Sequence, residues 1–380
     1  MKKIYYIAHY DPPKLGQNRV SSRAAIEKIE YLLSALNAEN IEVTLISAGR
    51  PNTTTPIKET IYKPKAHLEL VLLKGDKGGG RLRGKLATAR YILRLFWYLL
   101  RYIHKDDTVL VYHSLVLMRL IRLLKRLKHF RLILEVEEIY ADVKNSEASR
   151  KKELTYFRLA DGFLFPTQLL EQMCNPAKKP YAIVHGIYRM QEIYAKPVQD
   201  GKVHCVYAGT LNVRKGGAVS AVSAAEFLPP NYHIHILGNA SEEETAVLIR
   251  TIAETAGKGG GAVTYEGALI AEDYAAFLQC CQIGLSTQRP DGIFNATSFP
   301  SKILSYLSNG LRVVSCRIAA VETSAVSELV TYYEEQTPQA IAAAILAAQS
   351  AEPPDAKAVF ARLDERFRSD IAALLQALEH

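Results

Sequence analysis

Cysteine is scarce in this 380-residue chain, and the five cysteines lack the spacing of a metal site. They are Cys174, Cys205, Cys280, Cys281 and Cys316. Their number is odd and most of them fall in apolar stretches, which argues against a disulfide framework. The pattern instead predicts reduced thiols in the core of a cytoplasmic protein.

Long apolar runs are absent too, since no window of uninterrupted apolar residues is long enough to span a membrane. At the N-terminus two lysines precede a short apolar run, but His9, Tyr10 and Asp11 interrupt it and no cleavage site follows. We therefore expect a first strand there and not a signal peptide. The composition, 48% hydrophobic and 23% charged, is typical of globular proteins, and the length predicts two domains.

Acidic residues are nearly missing from residues 74–131, where fifteen lysines and arginines face three aspartates. This region carries +12 of a total charge of +8, so the rest of the chain carries −4. Its two amphipathic runs, 82–104 and 117–131, favour helices on an anionic membrane surface, although ordinary covering helices would also fit. No nucleic-acid motif accompanies the charge, so nucleic acid is not an expected partner. The predicted membrane patch comprises Arg83, Arg90, Arg94, Trp97 and Arg101.

Strand-like runs alternate with helical patterns along the chain, which is typical of α/β sheets with parallel strands. They include KIYYIAHY, TVLVYHS and RLILEVEEI in the first half, and VHCVYAG, YHIHILG and LRVVSC in the second. Pro, Gly and polar residues gather near residues 190–202, which predicts a domain boundary there. The predicted domains are 1–192 and 200–362, followed by a helix over 363–380.

The most informative stretch is SFPSKILSYLSNGLRVVS, residues 298–315. It predicts a short helix with Ser298 as its N-cap and Pro300 in its first turn, closed by a left-handed Gly310 before a buried strand. Free amides near Ser301 and the ammonium group of Lys302 would face outward at the positive end of the helix dipole. A helix start placed at the edge of a parallel sheet suits an anion, whereas this segment taken alone would also fit an ordinary capped surface helix.

A second segment, VHCVYAGTLNVRKGG at residues 203–217, supports the same interpretation. A strand ends at Gly209, and a loop with Arg214, Lys215 and Gly216 leads into a helical run. The two segments together resemble the donor half of nucleotide-sugar glycosyltransferases of the GT-B fold, within the large family-4-like group. The resemblance covers most of residues 200–370, whereas the first half matches only in layout.

This resemblance implies two Rossmann-like domains that face a cleft, with the acceptor side in the first domain and the nucleotide-sugar donor in the second. The C-terminal helix would cross back to the first domain. Lys215 and Gly216 would meet the diphosphate. Thr210 occupies the position of the group's usual arginine, so Arg214 is the nearest replacement.

A second departure concerns the paired glutamates of many family members, because Thr297 and Ser305 occupy their positions here. The helix instead resembles that of a branch of bacterial polysaccharide glycosyltransferases, with Lys302 and Tyr306 as its recurring polar pair. These two residues share a helix face. With the glutamates absent, the resemblance leaves open whether the anomeric configuration is retained or inverted.

Further donor contacts are expected from loops at other strand ends. Asn295 would hold the sugar or β-phosphate, and Glu266 with Gly267 would lie near the nucleobase. No metal-binding DxD motif occurs, so positive groups replace a metal in this interpretation. The predicted donor site comprises Thr210, Arg214, Lys215, Gly216, Gly238, Glu266, Gly267, Asn295, Thr297, Ser298, Ser301, Lys302 and Tyr306.

Candidates for acid or base catalysis follow strands of the first domain. Glu138 in LEVEEIYADV is the leading choice, with Asp11 and His185 as further candidates and His113 behind them. A solvated loop acid and structural histidines are the alternatives. The acceptor-side loop would include Gly16, Gln17 and Asn18, where the glycine permits close approach to a ligand.

These patterns and the resemblance predict a cytoplasmic glycosyltransferase, peripheral on the membrane, that requires no cofactor or metal. The donor would be a nucleotide diphosphate sugar, a UDP-sugar in the first place, and the acceptor a glycan or polyprenyl-linked sugar in surface polysaccharide assembly. A GT-B sugar-nucleotide epimerase and a non-catalytic membrane-associated scaffold are the alternatives. The oligomeric state stays open.

Overall fold

The computed structural model describes residues 3–13, 15–52, 55–76, 81–143, 146–212, 216–290 and 297–379. The chain divides into two compact units. The first comprises Met1–Ile187 with Arg366–His380, and the second comprises Tyr188–Glu365. Each unit is built on a sheet of its own.

The strands of the first unit are β1 (Lys3–Ala8), β2 (Glu42–Ser47), β3 (Thr60–Lys65), β4 (Leu68–Leu72), β5 (Thr108–Tyr112), β6 (Arg131–Glu135), β7 (Gly162–Phe165) and β8 (Tyr181–Ile183). They form one sheet in the order β3-β4-β2-β1-β5-β6-β7-β8. Only the pair of β3 and β4 is antiparallel. The other strands run parallel, so their carboxyl ends meet at one edge.

The helices of this unit are α1 (Arg23–Ala38), α2 (Arg81–Tyr102), α3 (Met118–Lys128), α4 (Tyr140–Val143), α5 (Glu147–Phe157) and α6 (Gln168–Cys174). Ser22 caps α1, because its side chain accepts a hydrogen bond from the Ala25 amide. α2 buries Tyr91, Leu95 and Leu99, which recur every four residues along one face. They join the apolar core of the sheet.

The strands of the second unit are β9 (Val203–Ala208), β10 (Tyr232–Leu237), β11 (Ala262–Gly267), β12 (Ile283–Ser286), β13 (Arg312–Cys316) and β14 (Val330–Tyr333). They form a parallel sheet in the order β11-β10-β9-β12-β13-β14. The direction of connection reverses between β9 and β12, and ligands of such sheets bind beside the strand ends at that reversal.

The remaining helices are α7 (Gly217–Ala224), α8 (Glu242–Ala256), α9 (Ala271–Cys280), α10 (Ser301–Ser308), α11 (Ala319–Glu322), α12 (Pro338–Ser350) and α13 (Ala356–Ala377). α13 belongs to the second unit as far as Glu365 and to the first unit from Arg366 onward. In the first unit its Phe367 ring stacks on Tyr31, with 5.7 Å between the ring centres. This part of the helix completes the core beside α1.

The predicted α/β architecture, two sheets of parallel strands with covering helices, is confirmed. Two strands were not predicted, β3 and β14. In β3 most side chains are exposed, so the apolar signal of a buried strand is missing. Among the described helices, none combines the length and apolar character that a membrane span requires.

Candidate anion-binding site

α10 is the helix predicted from the SFPSK segment, but it begins later than expected. Ser301 is its first residue and Pro300 is its N-cap, with an extended ψ of 97°. The expectation that Ser298 caps the helix is wrong, because this extended proline holds the two residues before it outside the helix. Ile303 donates the first hydrogen bond, to the Pro300 carbonyl at 3.0 Å. The amides of Ser301 and Lys302 therefore have no acceptor within the helix.

Lys302 places a cation at this helix start. Its Nζ lies 4.2 Å from the centre of the Tyr207 ring, at the end of β9. Within the described parts of the chain, no carboxylate lies within ion-pair distance of this Nζ. Burial lowers the pKa of Lys302 to about 8. A bound anion would restore the charged form of the side chain.

Tyr207 also contacts the start of a second helix, α7. A Cβ atom on Gly217, the first residue of α7, would lie 2.7 Å from this ring, so only glycine fits there. Gly216 caps α7 with a φ of +69°, and a Cβ on it would lie 3.1 Å from the Nε of Arg289. The Lys302 ammonium and the start of α7 thus lie beside Tyr207, and the Arg289 side chain lies beside Gly216. Such an arrangement creates a positive potential that suits a diphosphate.

Arg289 was not among the predicted donor residues. It opens the RPDG segment directly after β12, and its positive charge next to a glycine turn was the signal in the sequence. The structure places its guanidinium against Gly216, far along the chain. That contact depends on the packing of α7 beside β12, which no local pattern reveals.

Three glycines predicted or expected at strand ends lie side by side at the carboxyl edge of the sheet. Gly209 donates to the Leu237 carbonyl at 3.0 Å, and Gly238 donates to the Gly267 carbonyl at 2.8 Å. A Cβ atom on Gly238 would overlap the carbonyl of Gly209. Beside them Thr210 is exposed. A ligand can approach the backbone closely along this edge.

Tyr306, the predicted partner of Lys302, is completely buried. Its hydroxyl accepts a hydrogen bond from the Ala208 amide at 2.8 Å and donates to the Leu285 carbonyl at 3.2 Å. Gly284 leaves the room that the ring needs, because a Cβ atom there would overlap it. Tyr306 therefore fixes α10 to the ends of β9 and β12, and its predicted direct contact with a donor is corrected to a positioning role.

The other predicted donor residues lie in three situations. Thr297 is buried, and the Oγ atom of Ser298 is buried without a hydrogen-bond partner among the described residues. Glu266 accepts a hydrogen bond from the Nδ1 atom of His235 at 2.8 Å. Arg214, Lys215 and Asn295 lie outside the described residues.

In the first unit, sequence reasoning missed a buried carboxyl group, that of Glu135 at the end of β6. It accepts a hydrogen bond from the hydroxyl of Tyr6 on β1, and its Oε1 atom has no partner among the described residues. Burial, and next the carboxylate of Glu137, raises the pKa of Glu135. Glu137 is itself paired with Lys28 of α1 at 2.6 Å. Glu137 and Glu138, the predicted candidate, both follow β6 directly, and both are half-buried.

Asp11 and the predicted acceptor-side loop lie together beyond β1. Asp11 accepts a hydrogen bond from the Arg19 amide at 2.9 Å, while its Oδ1 atom is buried without a partner among the described residues. Gly16 and Asn18 both have a positive φ, and Gln17 accepts a hydrogen bond from the Arg19 side chain at 2.8 Å. The loop is thus a folded turn anchored by Arg19, which is buried.

The two histidines considered for catalysis differ in their surroundings. His185 lies 2.6 Å through Nδ1 from the Pro166 carbonyl, and burial lowers its pKa to about 4. It is neutral at physiological pH, as a base must be. His113 is buried against Glu153 at 2.6 Å between Nε2 and Oε1. Glu153 also accepts hydrogen bonds from the amides of Tyr140 and Ala141, which indicates a structural network.

The predicted membrane patch lies mainly on the exposed face of α2. Trp97 is 59% exposed, and Leu93 is 55% exposed. Arg83, Arg90 and Arg101 are exposed, whereas Arg94 is half-buried and paired with Asp76 at 2.9 Å. One side of the helix presents, in order along a helical stripe, Leu86, Arg90, Leu93, Trp97 and Arg101.

Comparisons with solved structures identify the same architecture. A sucrose-phosphate synthase from Thermosynechococcus elongatus aligns with 14% identity and a TM-score of 0.65 over 100% of this chain and 96% of its own. An α,α-trehalose-phosphate synthase (UDP-forming) from Burkholderia xenovorans, in complex with glucose-6-phosphate, aligns with 11% identity and a TM-score of 0.67 over 100% of each chain. Anabaena HepE, in complex with UDP and glucose, aligns with 13% identity and a TM-score of 0.66 over 99% of this chain and 100% of its own.

These neighbours are glycosyltransferases of the GT-B fold, and the likeness shows that this chain has that fold, as predicted. No protein-family model matches the sequence, and no curated protein matches it.

Proposed function

We propose that this protein is a glycosyltransferase that takes a sugar from a nucleotide diphosphate sugar, with UDP as the nucleotide. The observation that carries the proposal is the ammonium of Lys302. It lies over Tyr207 at the carboxyl end of β9, and no acidic partner lies near it among the described residues. A half-buried cation without a counterion is costly, so a ligand that supplies the negative charge is favoured.

The geometry suits the leaving group of glycosyl transfer. When the glycosidic bond to the donor breaks, negative charge develops on the departing diphosphate. Lys302, Arg289 and the amides at the starts of α7 and α10 can stabilise that charge. The glycine edge formed by Gly209, Gly238 and Gly267 leaves room for the remainder of the donor.

UDP is our choice because the neighbours point to it. The trehalose-phosphate synthase is described as UDP-forming, and HepE is described in complex with UDP and glucose. The fold that they share with this chain carries the nucleotide beside the strand ends of one sheet. We also propose that the chain belongs to the family-4-like group and to its polysaccharide branch. The support is the SFPSK helix with its Lys302.

For the acceptor we propose a glycan or a polyprenyl-linked sugar at a membrane surface. The support is the exposed face of α2, where leucines and Trp97 alternate with arginines. Basic residues attract anionic headgroups while apolar ones enter the interface. Asp11, Glu138 and His185 remain our candidates for the acceptor base, because each follows a strand of the first sheet at its carboxyl edge.

The test is calorimetric titration of UDP, GDP, ADP and CMP into the wild type and into Lys302→Met. We expect the wild type to bind UDP, and the loss of a charged contact to weaken this binding by roughly 10- to 100-fold. Lys357→Met, an exposed lysine on α13, is the matched control and should bind as the wild type does. Absence of binding by every nucleotide would overturn the proposal and favour the scaffold.

The pH dependence of the same titration separates Lys302 from other contacts. The pKa of Lys302 is about 8 before UDP binds. Above that pH the side chain is mainly a neutral amine, which must gain a proton before it can pair with UDP. UDP affinity should therefore fall as the pH rises through about 8, approaching tenfold per unit. Lys302→Met should lose this fall. Turnover of a UDP-sugar without any acceptor would instead support an epimerase.

A further inference from the structure

Three histidines cluster on one face of the second sheet, away from the site described above. His204 lies near the start of β9, and His233 and His235 lie on the neighbouring β10. His204 is the register partner of His233, and His235 follows two residues later on the same face. One ligating nitrogen from each ring lies within 4.8 Å of the other two.

The outer nitrogen of each ring is held by a polar side chain. The Nε2 atom of His204 lies 3.2 Å from Asp200 Oδ1, and the Nδ1 atom of His235 lies 2.8 Å from Glu266 Oε1. The Nε2 atom of His233 lies 2.7 Å from the hydroxyl of Thr264. Carboxylates and hydroxyls that accept the outer N–H are the usual second layer of a histidine metal site, since they fix the tautomer and orient the ring.

The inner nitrogens of His204 and His235 face each other directly. The Nδ1 atom of His204 lies 2.9 Å from the Nε2 atom of His235. When each ring donates its only proton outward to a carboxylate, both inner nitrogens present lone pairs to each other. Two facing lone pairs repel at this distance, whereas a cation between them is bound by both. The geometry therefore favours a positive charge at the centre of the cluster.

The cluster is largely shielded from solvent. His204 and His235 are each 8% exposed. The edge of the Phe277 ring packs against His235, with 5.3 Å between ring centres, and supplies an apolar wall. His233 is half-buried and leaves a route for an ion to enter.

We propose that His204, His233 and His235 bind a divalent transition-metal ion of the zinc class. His204 and His233 would ligate through Nδ1 and His235 through Nε2, with a fourth position open to water. Imidazole nitrogens suit Zn²⁺, Ni²⁺ and Cu²⁺, whereas Mg²⁺ and Ca²⁺ prefer oxygen. Bonds of about 2.0–2.1 Å separate tetrahedral ligands by roughly 3.3 Å, so small ring rotations would complete the site.

This metal site goes beyond the proposed function, and of the predicted donor residues it involves Glu266, which holds His235. Five residues of β9 separate His204 from Gly209, a distance of about 16 Å along the strand. The ion would cross-link β9 and β10, and through Glu266 it would also hold β11. Its role would be to stabilise this part of the sheet.

The test uses the full chain without a histidine tag, stripped with a chelator and titrated with Zn²⁺ by calorimetry. We expect one equivalent to bind the wild type, and His233→Gln and His235→Gln to lose it. Glu266→Gln keeps all three ligands and should weaken the affinity by roughly 10- to 100-fold. His104→Gln replaces an exposed histidine outside the cluster and should bind Zn²⁺ as the wild type does.

Thermal unfolding provides the second measurement, because an ion that binds only the folded state raises the melting temperature. Zn²⁺ should raise the melting temperature of the wild type and not that of His233→Gln. Because His233 is only half-buried, this substitution should leave the fold intact, and circular dichroism can check that it does. A wild type that binds no Zn²⁺, or a His233→Gln variant that keeps the equivalent at unchanged affinity, would overturn the proposal. The latter outcome would point to the cysteines.

Discussion

Two ionisable side chains, one from each unit, show how burial disfavours a charged form. The one in the second unit is Lys302, with a lowered pKa, and the one in the first is Glu135, with a raised pKa. The environments differ in kind. Lys302 lacks a counterion among the described residues, so an added anion would stabilise it, whereas Glu135 already has Tyr6 as a donor. We therefore expect Lys302 to respond to ligands and Glu135 to respond to pH.

Replacement of Glu135 by Gln should change how stability depends on pH. The pKa of Glu135 is raised in the folded state, so the folded protein holds a proton that the unfolded chain releases above about pH 4.5. Its protonation favours folding at low pH, and this contribution is lost as the pH rises through the raised pKa. Glutamine keeps the neutral form at every pH. The melting temperature of Glu135→Gln relative to the wild type should therefore increase between about pH 5 and about pH 9.

Glu69→Gln is the matched control, because Glu69 lies half-buried on β4 of the same sheet. Its melting temperature relative to the wild type should stay flat over the same range. A difference between Glu135→Gln and the wild type that does not grow with pH would show that Glu135 is ionised in the folded protein.

The sequence revealed Lys302 but not Glu135, and the reason lies in the range of the contacts. Lys302 belongs to a local pattern of proline, serine and glycine around a short helix. Glu135 acquires its raised pKa above all from burial beside residues distant in the chain, such as Tyr6, which is 129 residues away in sequence. The predicted run RLILEVEEI included Glu135, but only the acids at its end were considered as candidates, whereas β6 ends at Glu135 and buries it. The same limit explains why Arg289 was missed.

At the scale of single elements, α10 is held in place by the hydroxyl of Tyr306. It is the hydrogen-bond acceptor for the Ala208 amide and lies completely inside the unit. Tyr306→Phe leaves that amide without an acceptor in a buried place, so we expect a loss of about 1–3 kcal/mol in the free energy of unfolding. Urea denaturation measures it. UDP affinity should fall as well, because α10 carries Lys302.

Tyr332→Phe is the control for this substitution, since the Tyr332 hydroxyl bonds to the Ser327 side chain in a half-buried place on β14. It should cost less than about 1 kcal/mol, because water can replace the lost partner. Equal losses for the two variants would show that the Ala208 amide is satisfied without Tyr306.

Element prediction succeeded where the apolar signal was local and failed where backbone conformation decided the boundary. The buried strands around the two sheets were recognised from their apolar runs, and the glycine end of α10 is confirmed by a φ of +83° at Gly310. α10 begins at Ser301, later than predicted, because Pro300 adopts an extended ψ that the presence of proline does not determine. Proline fixes φ but leaves ψ free to be helical or extended.

At the scale of the whole molecule, charge is distributed unevenly along the chain. Residues 74–131 carry a net charge of +12, and the structure assigns most of them to α2, β5 and α3 of the first unit. On α3 the exposed side chains include Leu123 and Leu127 beside Arg126. An apolar and basic surface on two helices of one unit is typical of proteins that bind anionic membranes.

The triple variant Arg83→Glu, Arg90→Glu and Arg101→Glu should therefore lose binding to vesicles that contain anionic lipid. Arg94 is left in place because its pair with Asp76 belongs to the fold. At about 1 kcal/mol for each basic residue, we expect binding to weaken by at least roughly 100-fold. Trp97 is the only tryptophan of the chain, so a blue shift of its fluorescence on vesicle addition measures insertion of α2 directly.

Lys58→Glu, Lys196→Glu and Lys357→Glu form the matched control, because they change the net charge equally at exposed positions outside α2. If vesicle binding depended on net charge alone, both triple variants would weaken it to the same extent. Binding that survives in the control and disappears in the α2 variant, together with the shift of Trp97, would place the membrane on α2. Unchanged binding in the α2 variant would contradict the membrane proposal while leaving the UDP site untouched, because Lys302 and α2 belong to different units.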